Sequence, residues 1–276
     1  MRMTLGEVSF ELKEPFDFTF LEAYGEPFEV YDQQDSGNIC FGVRSGEEKR
    51  FIKVAGASTA RASVTPEEAI RRMRECSAVW HALKHPALLG LIEDKPVPGG
   101  YVQVFEYFEG RCMSPMYGEH ERFMALPVEE KLGIYETVLA FHEHVSKCGY
   151  VAIDFYDGCV LYNFDTRQTQ LCDVEFYRPG PLVNEMGRMW GSSRFMSPEE
   201  FTLGAVIDER SNVYTMGQMA FQLFGGGTDH APELWRASQA IYRAAMAAVS
   251  ERREDRYGSV ADYHAAWNAA LKEKTP

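Results

Sequence analysis

An acidic residue stands inside an apolar and aromatic run at residues 150–165, which read Tyr-Val-Ala-Ile-Asp-Phe-Tyr-Asp-Gly-Cys-Val-Leu-Tyr-Asn-Phe-Asp. A carboxylate at Asp154 is costly there unless it has a task. Residues 170–176 follow as Gln-Leu-Cys-Asp-Val-Glu-Phe, so Asp173 ends a second apolar strand. Two acids on consecutive hairpin-like loops can converge on one metal-bound phosphate; taken alone, the pair also fits two solvated loop acids. Because long irregular segments in compact domains are usually functional, we expect the chemistry within residues 148–208.

The residues before this stretch predict a β-β-β-α-β-β order. Turn-rich segments separate runs typical of strands, at residues 27–32, 39–44, 50–55, 88–92 and 101–108. The helix, at about residues 66–83, starts with Thr65 as N-cap and Pro66 in its first turn. Residues 1–25 are expected to add a strand or loop and no chemistry.

The composition shifts to helices further on. One helical pattern begins at Pro127. Three further helices are predicted at about residues 209–224, 232–251 and 259–272. The sequence therefore predicts an α+β fold, with an antiparallel five-stranded part that has one helix and then a mainly helical part. We expect an N-terminal extension at residues 1–25, a small lobe at 26–107 and a helical lobe at 108–276.

The composition excludes several classes of partner. The net charge is −13, from 41 acidic and 28 basic residues, and no basic run is seen, so neither nucleic acid nor a membrane surface is an expected partner. No apolar stretch reaches 18 residues. Six scattered cysteines without C-x-x-C pairs favour a reduced, cytoplasmic location. For His142 and His144 we expect surface or capping roles rather than zinc binding.

Lys53 lies in the third predicted strand, Phe-Ile-Lys-Val-Ala at residues 51–55. On its own it is typical of a solvent-facing lysine on a half-buried strand. Taken together with the two acidic loops, however, Lys53 makes the chain resemble the eukaryotic-like Ser/Thr protein kinase family. The chain resembles a divergent, bacterial-type member of that family. The resemblance covers about residues 25–270 and implies a two-lobed protein-kinase-like fold.

Several further motifs follow in the order that this family has them. Residues 83–86, Leu-Lys-His-Pro, match the step after the family's helix C, and residues 105–110, Phe-Glu-Tyr-Phe-Glu-Gly, resemble its hinge. Residues 191–199, Gly-Ser-Ser-Arg-Phe-Met-Ser-Pro-Glu, track the stretch that ends in A-P-E. Residues 211–217, Ser-Asn-Val-Tyr-Thr-Met-Gly, resemble the opening of helix F. Each motif is weak alone, whereas the ordered set is a strong signal.

The resemblance implies ATP and Mg²⁺ as cofactors and a protein as substrate. It assigns nucleotide binding to Lys53, locked by a helix glutamate, and to the hinge residues Phe105, Glu106 and Phe108, with Phe105 as gatekeeper. Asp154 would orient the acceptor hydroxyl and take its proton, and Asp173 would bind Mg²⁺. A substrate-docking segment would be braced by Ser197, Pro198, Glu199, Asn212 and Arg256.

The candidate phosphate loop and the predicted helix at about residues 66–83 both depart from the family pattern. The loop falls at residues 32–37, Asp-Gln-Gln-Asp-Ser-Gly, which leaves Ser36 and Gly37 as candidate nucleotide contacts. The position at which the family has the helix glutamate is occupied here by Cys76. Either Glu68 or Glu75 could serve as the partner of Lys53 instead, and we prefer Glu75.

The acidic loops depart from the pattern as well. Ala152-Ile153 stands where the family has His-Arg, and Tyr156 stands where it has the loop lysine. Cys159 replaces the metal-binding asparagine, and Asn212 replaces the helix-F aspartate. Glu175 replaces the glycine of D-F-G and is predicted to recover the missing Mg²⁺ ligand, because aminoglycoside and choline kinases carry a similar pattern.

Three functions fit this sequence. The first is ATP-dependent phosphoryl transfer to a protein Ser or Thr hydroxyl. The second is a pseudokinase, a nucleotide-binding or inert scaffold, which the degenerate loops favour. The third is a small-molecule kinase of the aminoglycoside or choline kinase type, which would not be expected to carry Glu199 with a matching Arg256.

Overall fold

The computed structural model describes residues 1–33 and 36–273 of the chain. Within these residues the fold is α+β, with six α-helices and a five-stranded antiparallel sheet as the largest sheet. The α+β class predicted from the sequence is thereby confirmed. The chain divides into two compact units, Met1–Phe108 and Glu109–Pro276. The lobe boundaries expected after residues 25 and 107 stay predictions.

The first unit is built from a hairpin, the five-stranded sheet and one helix. Its elements are β1 (Arg2–Leu5), β2 (Val8–Glu11), β3 (Glu26–Tyr31), β4 (Asn38–Ser45), β5 (Glu48–Ala55), α1 (Pro66–Ala82), β6 (Leu91–Val97) and β7 (Gly100–Glu106). The order in the sheet is β3-β4-β5-β7-β6, with antiparallel pairing throughout. Pro96 lies in the edge strand β6. Proline is tolerated there because its missing backbone N–H is not needed to bond a further strand.

The fourth strand of the five-stranded sheet in chain order, β6, lies later in the chain than the sequence predicts. We expected a strand at residues 88–92, but β6 begins at Leu91. Leu88 and Leu89 are buried in a turn instead, where the Leu88 N–H donates to the His85 carbonyl at 3.0 Å. A short apolar run looks the same in a buried turn and in a buried strand, which explains the error.

The N-terminal residues belong to the core of the first unit. Phe10, Leu12 and Phe18 are buried in one cluster with residues of β4 and β5. The rings of Phe10 and Phe18 each lie 5.4 Å from the ring of Phe41, in edge-to-face contacts. Residues 1–25 are therefore part of the packing that supports the sheet.

Helix α1 starts where its capping residues predict. The Thr65 hydroxyl accepts from the Glu68 N–H at 3.3 Å, and Pro66 is the first helical residue. Met73, Cys76 and other apolar side chains form the buried face, which packs toward the sheet.

The second unit is mainly helical, with short two- and three-residue strands between its helices. Its elements are β8 (Arg111–Cys112), α2 (His120–Met124), α3 (Val128–Lys147), β9 (Tyr150–Val151), β10 (Val160–Tyr162), β11 (Thr169–Leu171), β12 (Arg178–Pro179), β13 (Leu182–Val183), β14 (Val206–Ile207), α4 (Glu209–Phe224), α5 (Gln239–Ala248) and α6 (Val260–Leu271). Antiparallel pairing joins β11-β10-β8, β12 with β9, and β13 with β14. The core helix α4 buries residues all round its circumference.

One helix of the second unit is shorter than expected. The pattern predicts a helix at residues 232–251, but the chain forms a 3-10 turn at Pro232–Leu234 and then α5. The break occurs because the Ser238 hydroxyl accepts from the Ile241 N–H at 3.4 Å, which makes Ser238 a new N-cap.

Candidate functional site

Asp154 lies just after β9, in a half-buried position of the second unit. Its backbone is left-handed, with φ of 62°. Burial raises the pKa of its carboxyl to about 7, helped by the negative charges of Asp173, Glu175 and Glu200 and opposed by a hydrogen bond from the Ser192 N–H. A carboxylate with this proton affinity is suited to accept a proton near neutral pH.

Asp173 follows β11 and has the same unusual backbone as Asp154, with φ of 64°. Only Arg167 shares a positive φ among the other non-glycine residues that the structure describes. Such a conformation costs of order 1 kcal/mol or more and tends to occur where a side chain must be aimed. Both predicted acidic residues are thus held in strained backbone at the ends of short strands.

Asp173 and Glu175 are the predicted magnesium ligands, and the structure brings both close enough to Asp154 to influence its pKa. Both side chains are half-buried. In residues 1–33 and 36–273, no group of three or more His, Cys, Asp or Glu residues could hold a metal ion. Two carboxylates suit Mg²⁺ that arrives with a nucleotide, because such an ion takes its other ligands from phosphates and water.

Cys159 ends the 3-10 turn Asp157–Cys159 that follows Asp154. Its side chain is fully buried, and its thiol contacts the Asp154 carbonyl at 3.7 Å. Burial, followed by the charge of Asp173, raises the pKa of this thiol well above its usual value. Cys159 therefore stays a neutral thiol that supports the Asp154 backbone and is a poor ligand for Mg²⁺.

Tyr156, two residues after Asp154, folds its ring over Gly158. A Cβ atom on Gly158 would lie 2.3 Å from a Tyr156 ring carbon, so only glycine fits beneath the ring. Burial raises the pKa of the Tyr156 hydroxyl, which keeps the side chain neutral. Residue 156 therefore supplies no positive charge to the neighbourhood of Asp154.

His142 in α3 contacts residues of both acidic loops. Its Nδ1 donates to the Val138 carbonyl at 2.8 Å, and its Nε2 accepts from the Tyr177 hydroxyl at 2.8 Å. Its ring also packs on Phe155, with 4.2 Å between ring centroids. Phe155 follows Asp154 directly, and Tyr177 lies four residues after Asp173.

The surface or capping role expected for His142 is wrong, because the residue is 1% exposed. Burial lowers its pKa to about 4, so the ring is neutral at pH 7. Its helical spacing with Val138 and Val145 would have placed it on the buried side of α3, but Tyr177 lies 35 residues away in the chain and no local pattern points to it.

Asn212 in α4 holds the backbone two residues before Asp154. Its Oδ1 accepts from the Ala152 N–H at 2.9 Å, and its Nδ2 donates to the Ala152 carbonyl at 2.7 Å. An aspartate could make only the first of these bonds, since a carboxylate has no donor. Asn212 therefore makes one hydrogen bond more to Ala152 than an aspartate at this position could.

Glu199 and Arg256 form a two-pronged ion pair inside the second unit. Arg256 Nη1 and Nη2 donate to the two carboxylate oxygens at 2.7 and 3.1 Å. The Arg256 side chain is 0% exposed and that of Glu199 9%. Burial alone would raise the pKa of Glu199, but hydrogen bonds from Arg256 and Ser211 outweigh it and lower the pKa.

Ser197 and Pro198 open the short 3-10 helix Pro198–Phe201 that carries Glu199. The Glu200 carboxylate accepts from the Ser197 N–H at 2.6 Å and from its hydroxyl at 2.7 Å. Burial nevertheless raises the pKa of Glu200 to about 7. The segment 197–200 is thus fixed by its own capping bonds as well as by Arg256.

A second ion pair, which the sequence did not suggest, ties this segment to the loop after Asp154. Arg194 donates to both oxygens of Asp157 at 2.7 and 2.9 Å, and the Asp157 side chain is fully buried. The partners are 37 residues apart, and Asp157 lacked any motif that would have marked it.

Lys53 lies in β5 of the first unit, opposite Gln103 of β7 and Cys40 of β4. Directly opposed residues of neighbouring strands point to the same face of a sheet. Gln103 contacts α1, so Lys53 lies on the face that α1 covers.

The preference for Glu75 as the partner of Lys53 is wrong for this structure. The Glu75 side chain is 57% exposed, and its carboxylate accepts from Arg71 at 2.7 Å. Its neighbour Cys76 is buried and lies 3.4 Å from the Gln103 amide, next to Lys53. One residue corresponds to 100° around a helix, which explains how a single step turns the carboxylate away from the sheet.

The predicted phosphate loop is only partly within the described residues, since Gln34 and Asp35 lie outside them. The Ser36 hydroxyl accepts from the Asn38 N–H at 3.4 Å. Gly37 is buried with φ of 79°, and a Cβ there would lie 3.0 Å from Val64 and 3.3 Å from Ala69. Gly37 is thus packed against the start of α1.

The predicted hinge residues end β7 and follow it. Phe105 is 2% exposed and packs on Trp80 of α1, with 4.7 Å between ring centroids. The Glu106 N–H donates to the Gly90 carbonyl at 2.9 Å, and Phe108, which is half-buried, is the last residue of the first unit.

Within the part of the chain that the structure describes, no helix has the length and apolar character needed to cross a bilayer.

Comparisons with known proteins support a relationship to kinases. The chain is 31% identical over 130 residues to the serine/threonine-protein kinase PksC of Streptomyces coelicolor, a match that covers 45% of this chain and 23% of that protein. It is 24% identical over 164 residues to the serine/threonine-protein kinase pkn2 of Myxococcus xanthus, covering 56% of this chain and 19% of pkn2. The matches thus span about a fifth of each relative. No model of a known protein family matches the sequence.

Proposed function

We propose that the chain is a protein kinase-like phosphotransferase that moves the terminal phosphoryl group of ATP to a Ser or Thr hydroxyl of a protein. The observation that carries the proposal is the environment of Asp154, whose pKa of about 7 reflects burial beside Asp173 and Glu175. The similarity to two bacterial Ser/Thr protein kinases supports the choice of reaction and of a protein substrate.

In this proposal each residue has a limited role, because phosphoryl transfer needs positioning and charge neutralisation more than covalent chemistry. Asp154 accepts a hydrogen bond from the acceptor hydroxyl and takes its proton as the phosphorus–oxygen bond forms. Lys53 supplies an ammonium to the phosphates. Asp173 and Glu175 would hold Mg²⁺, which neutralises phosphate charge when it is bound with ATP. The kinase-like two-lobed fold is part of the same proposal.

Substrate docking is assigned to the segment that Glu199 and Arg256 hold. Their buried pair and the capping bonds of Ser197 fix the backbone of residues 197–200. We assign Pro198 and Asn212 to the same support, since Pro198 begins the 3-10 helix and Asn212 holds Ala152. Phe105, Glu106, Phe108, Ser36 and Gly37 are assigned to contacts with the nucleotide.

The test is transfer of radiolabel from γ-labelled ATP, with Mg²⁺, to the chain itself and to a generic Ser/Thr-rich acceptor protein. Removing a general base lowers rates by about 10²–10⁴-fold, so Asp154→Ala should abolish detectable transfer. Asp165→Ala is the matched control, because Asp165 is an exposed loop acid of the same unit. Equal transfer by the wild type and Asp154→Ala would overturn the proposal.

A nucleotide-binding pseudokinase is the second candidate, favoured by the packing of Gly37 against α1 and by the neutral thiol of Cys159. The melting temperature separates the two functions. A shift with Mg²⁺ and ATP, without transfer to any acceptor, would support the pseudokinase, whereas a shift together with transfer supports the kinase.

A further inference from the structure

The face of the sheet around Lys53 contains a buried polar group that contacts no hydrogen-bond donor. Gln103 is 0% exposed, and its amide oxygen Oε1 has no hydrogen-bond partner among residues 1–33 and 36–273. A buried acceptor left unpaired costs about 1–3 kcal/mol. The amide group thus retains the capacity for one strong hydrogen bond.

The other end of the same amide is firmly held. Gln103 Nε2 donates to the Ser77 hydroxyl at 3.0 Å and to the Met73 carbonyl at 3.3 Å, both in α1. Rotation of the amide by 180° would set its oxygen against the Met73 carbonyl, where two acceptors would meet. These contacts therefore fix which end of the amide stays available.

Strand pairing places the cationic residue Lys53 opposite this amide. Lys53 and Gln103 are directly opposite in β5 and β7. Opposed residues of antiparallel strands have Cβ atoms about 5 Å apart, and a lysine side chain spans about that distance, so an ammonium can reach a neighbouring amide oxygen by changing rotamer.

Helix α1 offers carboxylates elsewhere. Its buried side next to Gln103 carries Met73, Cys76 and Ser77. Two of its three glutamates, Glu68 and Glu75, accept hydrogen bonds from Arg71, and the third, Glu67, is exposed. On the strand β7, the residue opposite Lys53 is Gln103, whose amide oxygen is an acceptor.

We propose that Gln103 is the positioning residue of Lys53, and that its Oε1 accepts a hydrogen bond from the Lys53 ammonium when Mg²⁺ and ATP are bound. This inference rests on the proposed role of Lys53 in nucleotide binding. A neutral acceptor orients the ammonium without cancelling its charge, so the full positive charge remains for the phosphates. The arrangement needs no glutamate from α1.

The experiment measures the dissociation constant of ATP by calorimetry at fixed Mg²⁺. The variants are Gln103→Met, which keeps the side-chain volume but removes the oxygen, and Gln103→Glu, which keeps an oxygen. Ser77→Ala is the control, since it removes a partner of Nε2 and leaves Oε1 in place. Each variant is combined with Lys53→Met.

We expect Gln103→Met to weaken ATP binding about tenfold, as the loss of one hydrogen bond to a charged group would. Gln103→Glu should stay within about threefold of the wild type, and Ser77→Ala within about twofold. In the Lys53→Met background both substitutions at residue 103 should have no further effect, because the coupled partner is already gone. A purely structural role would weaken binding equally in both backgrounds.

The outcomes separate this inference from the proposed function. If the wild type fails to bind ATP, the proposed function fails and the inference fails with it. If the wild type binds ATP through Lys53 but Gln103→Met binds it normally, the inference alone is overturned. Should Gln103→Met not fold, Gln103→Leu, which also removes the oxygen, decides in the same cycle with Lys53→Met, and the absence of any coupling between positions 53 and 103 overturns the inference.

Discussion

The acidic loops of the second unit and the Lys53 face of the first unit are built in opposite ways. In the second unit, charged and polar side chains hold the backbone. Asn212 forms hydrogen bonds with Ala152, and Arg256 forms an ion pair with Glu199. Around Lys53, the opposed residues Cys40 and Gln103 are uncharged. The chain thus has buried charge where segments of the second unit are held in place, and it has uncharged residues on the two strands opposite its predicted nucleotide lysine.

The largest effect should come from breaking the buried pair of the second unit. Arg256→Met leaves the Glu199 carboxylate buried without its partner, which should lower the free energy of unfolding by about 3–5 kcal/mol. Urea denaturation measures this. Arg252→Met is the control, because Arg252 and Glu254 are 70% and 65% exposed, and it should change stability by less than about 0.5 kcal/mol. Equal effects of the two substitutions would refute the distinction between buried and exposed charge.

Acid should reveal the buried neutral histidine beneath the loops. The pKa of His142 is about 4 in the folded protein, below its ordinary value of 6.5, so the unfolded chain binds the extra proton first. Its contribution is complete above pH 6.5 and is lost as pH falls toward 4, by about 3 kcal/mol in all. Denaturation at several pH values should show a shallower loss for His142→Gln than for the wild type. His144→Gln, two residues on, should follow the wild type; identical profiles for all three proteins would contradict the assignment.

Asp154→Asn should stabilise the protein at alkaline pH. The folded-state pKa of Asp154, about 7, is above its ordinary value of 3.8, so stability is lost as pH rises from 3.8 through 7 and the full penalty is present at pH 8. Removing the charge should raise the free energy of unfolding by about 2 kcal/mol at pH 8, which is about half of what the pKa shift alone implies, because solvent screens a half-buried carboxylate. The effect should be small at pH 4. Thermal melts at both pH values measure the difference, with Asp165→Asn as control. No stabilisation at pH 8 would show that the carboxylate is not held in a costly site.

The smallest effect is expected on the exposed side of α1. Glu75→Gln removes one side of a solvent-exposed pair with Arg71, which is worth no more than about 0.5 kcal/mol. The affinity for Mg²⁺ and ATP should be unchanged as well. A large loss of nucleotide affinity would restore Glu75 as the partner of Lys53 and weaken the contrast between the two regions.

Sequence patterns predicted most of the elements because their signals are local. Thr65 and Pro66 marked the start of α1 correctly, and the alternating strands β3, β4 and β5 were located within two residues. The errors arose where tertiary packing decides, as at Leu88 and Leu89, which form a buried turn.

The candidate site was harder to predict in detail because its bonds join distant parts of the chain. The motif order placed Glu199 and Arg256 as candidate partners across 57 residues. No pattern linked His142 to Tyr177, or Arg194 to Asp157. The choice between Glu75 and Cys76 depended on a rotation of one helical residue, which counting from a motif could not fix.

The most direct test of the central claim is a calorimetric titration of ATP, with and without Mg²⁺, into the wild type and into Asp173→Asn. We expect saturable binding by the wild type that strengthens at least tenfold with Mg²⁺, and a loss of that strengthening in Asp173→Asn, since a carboxylate is the harder ligand. Binding that ignores both Mg²⁺ and the substitution, or no binding at all, would contradict the claim that these acidic loops handle a magnesium nucleotide.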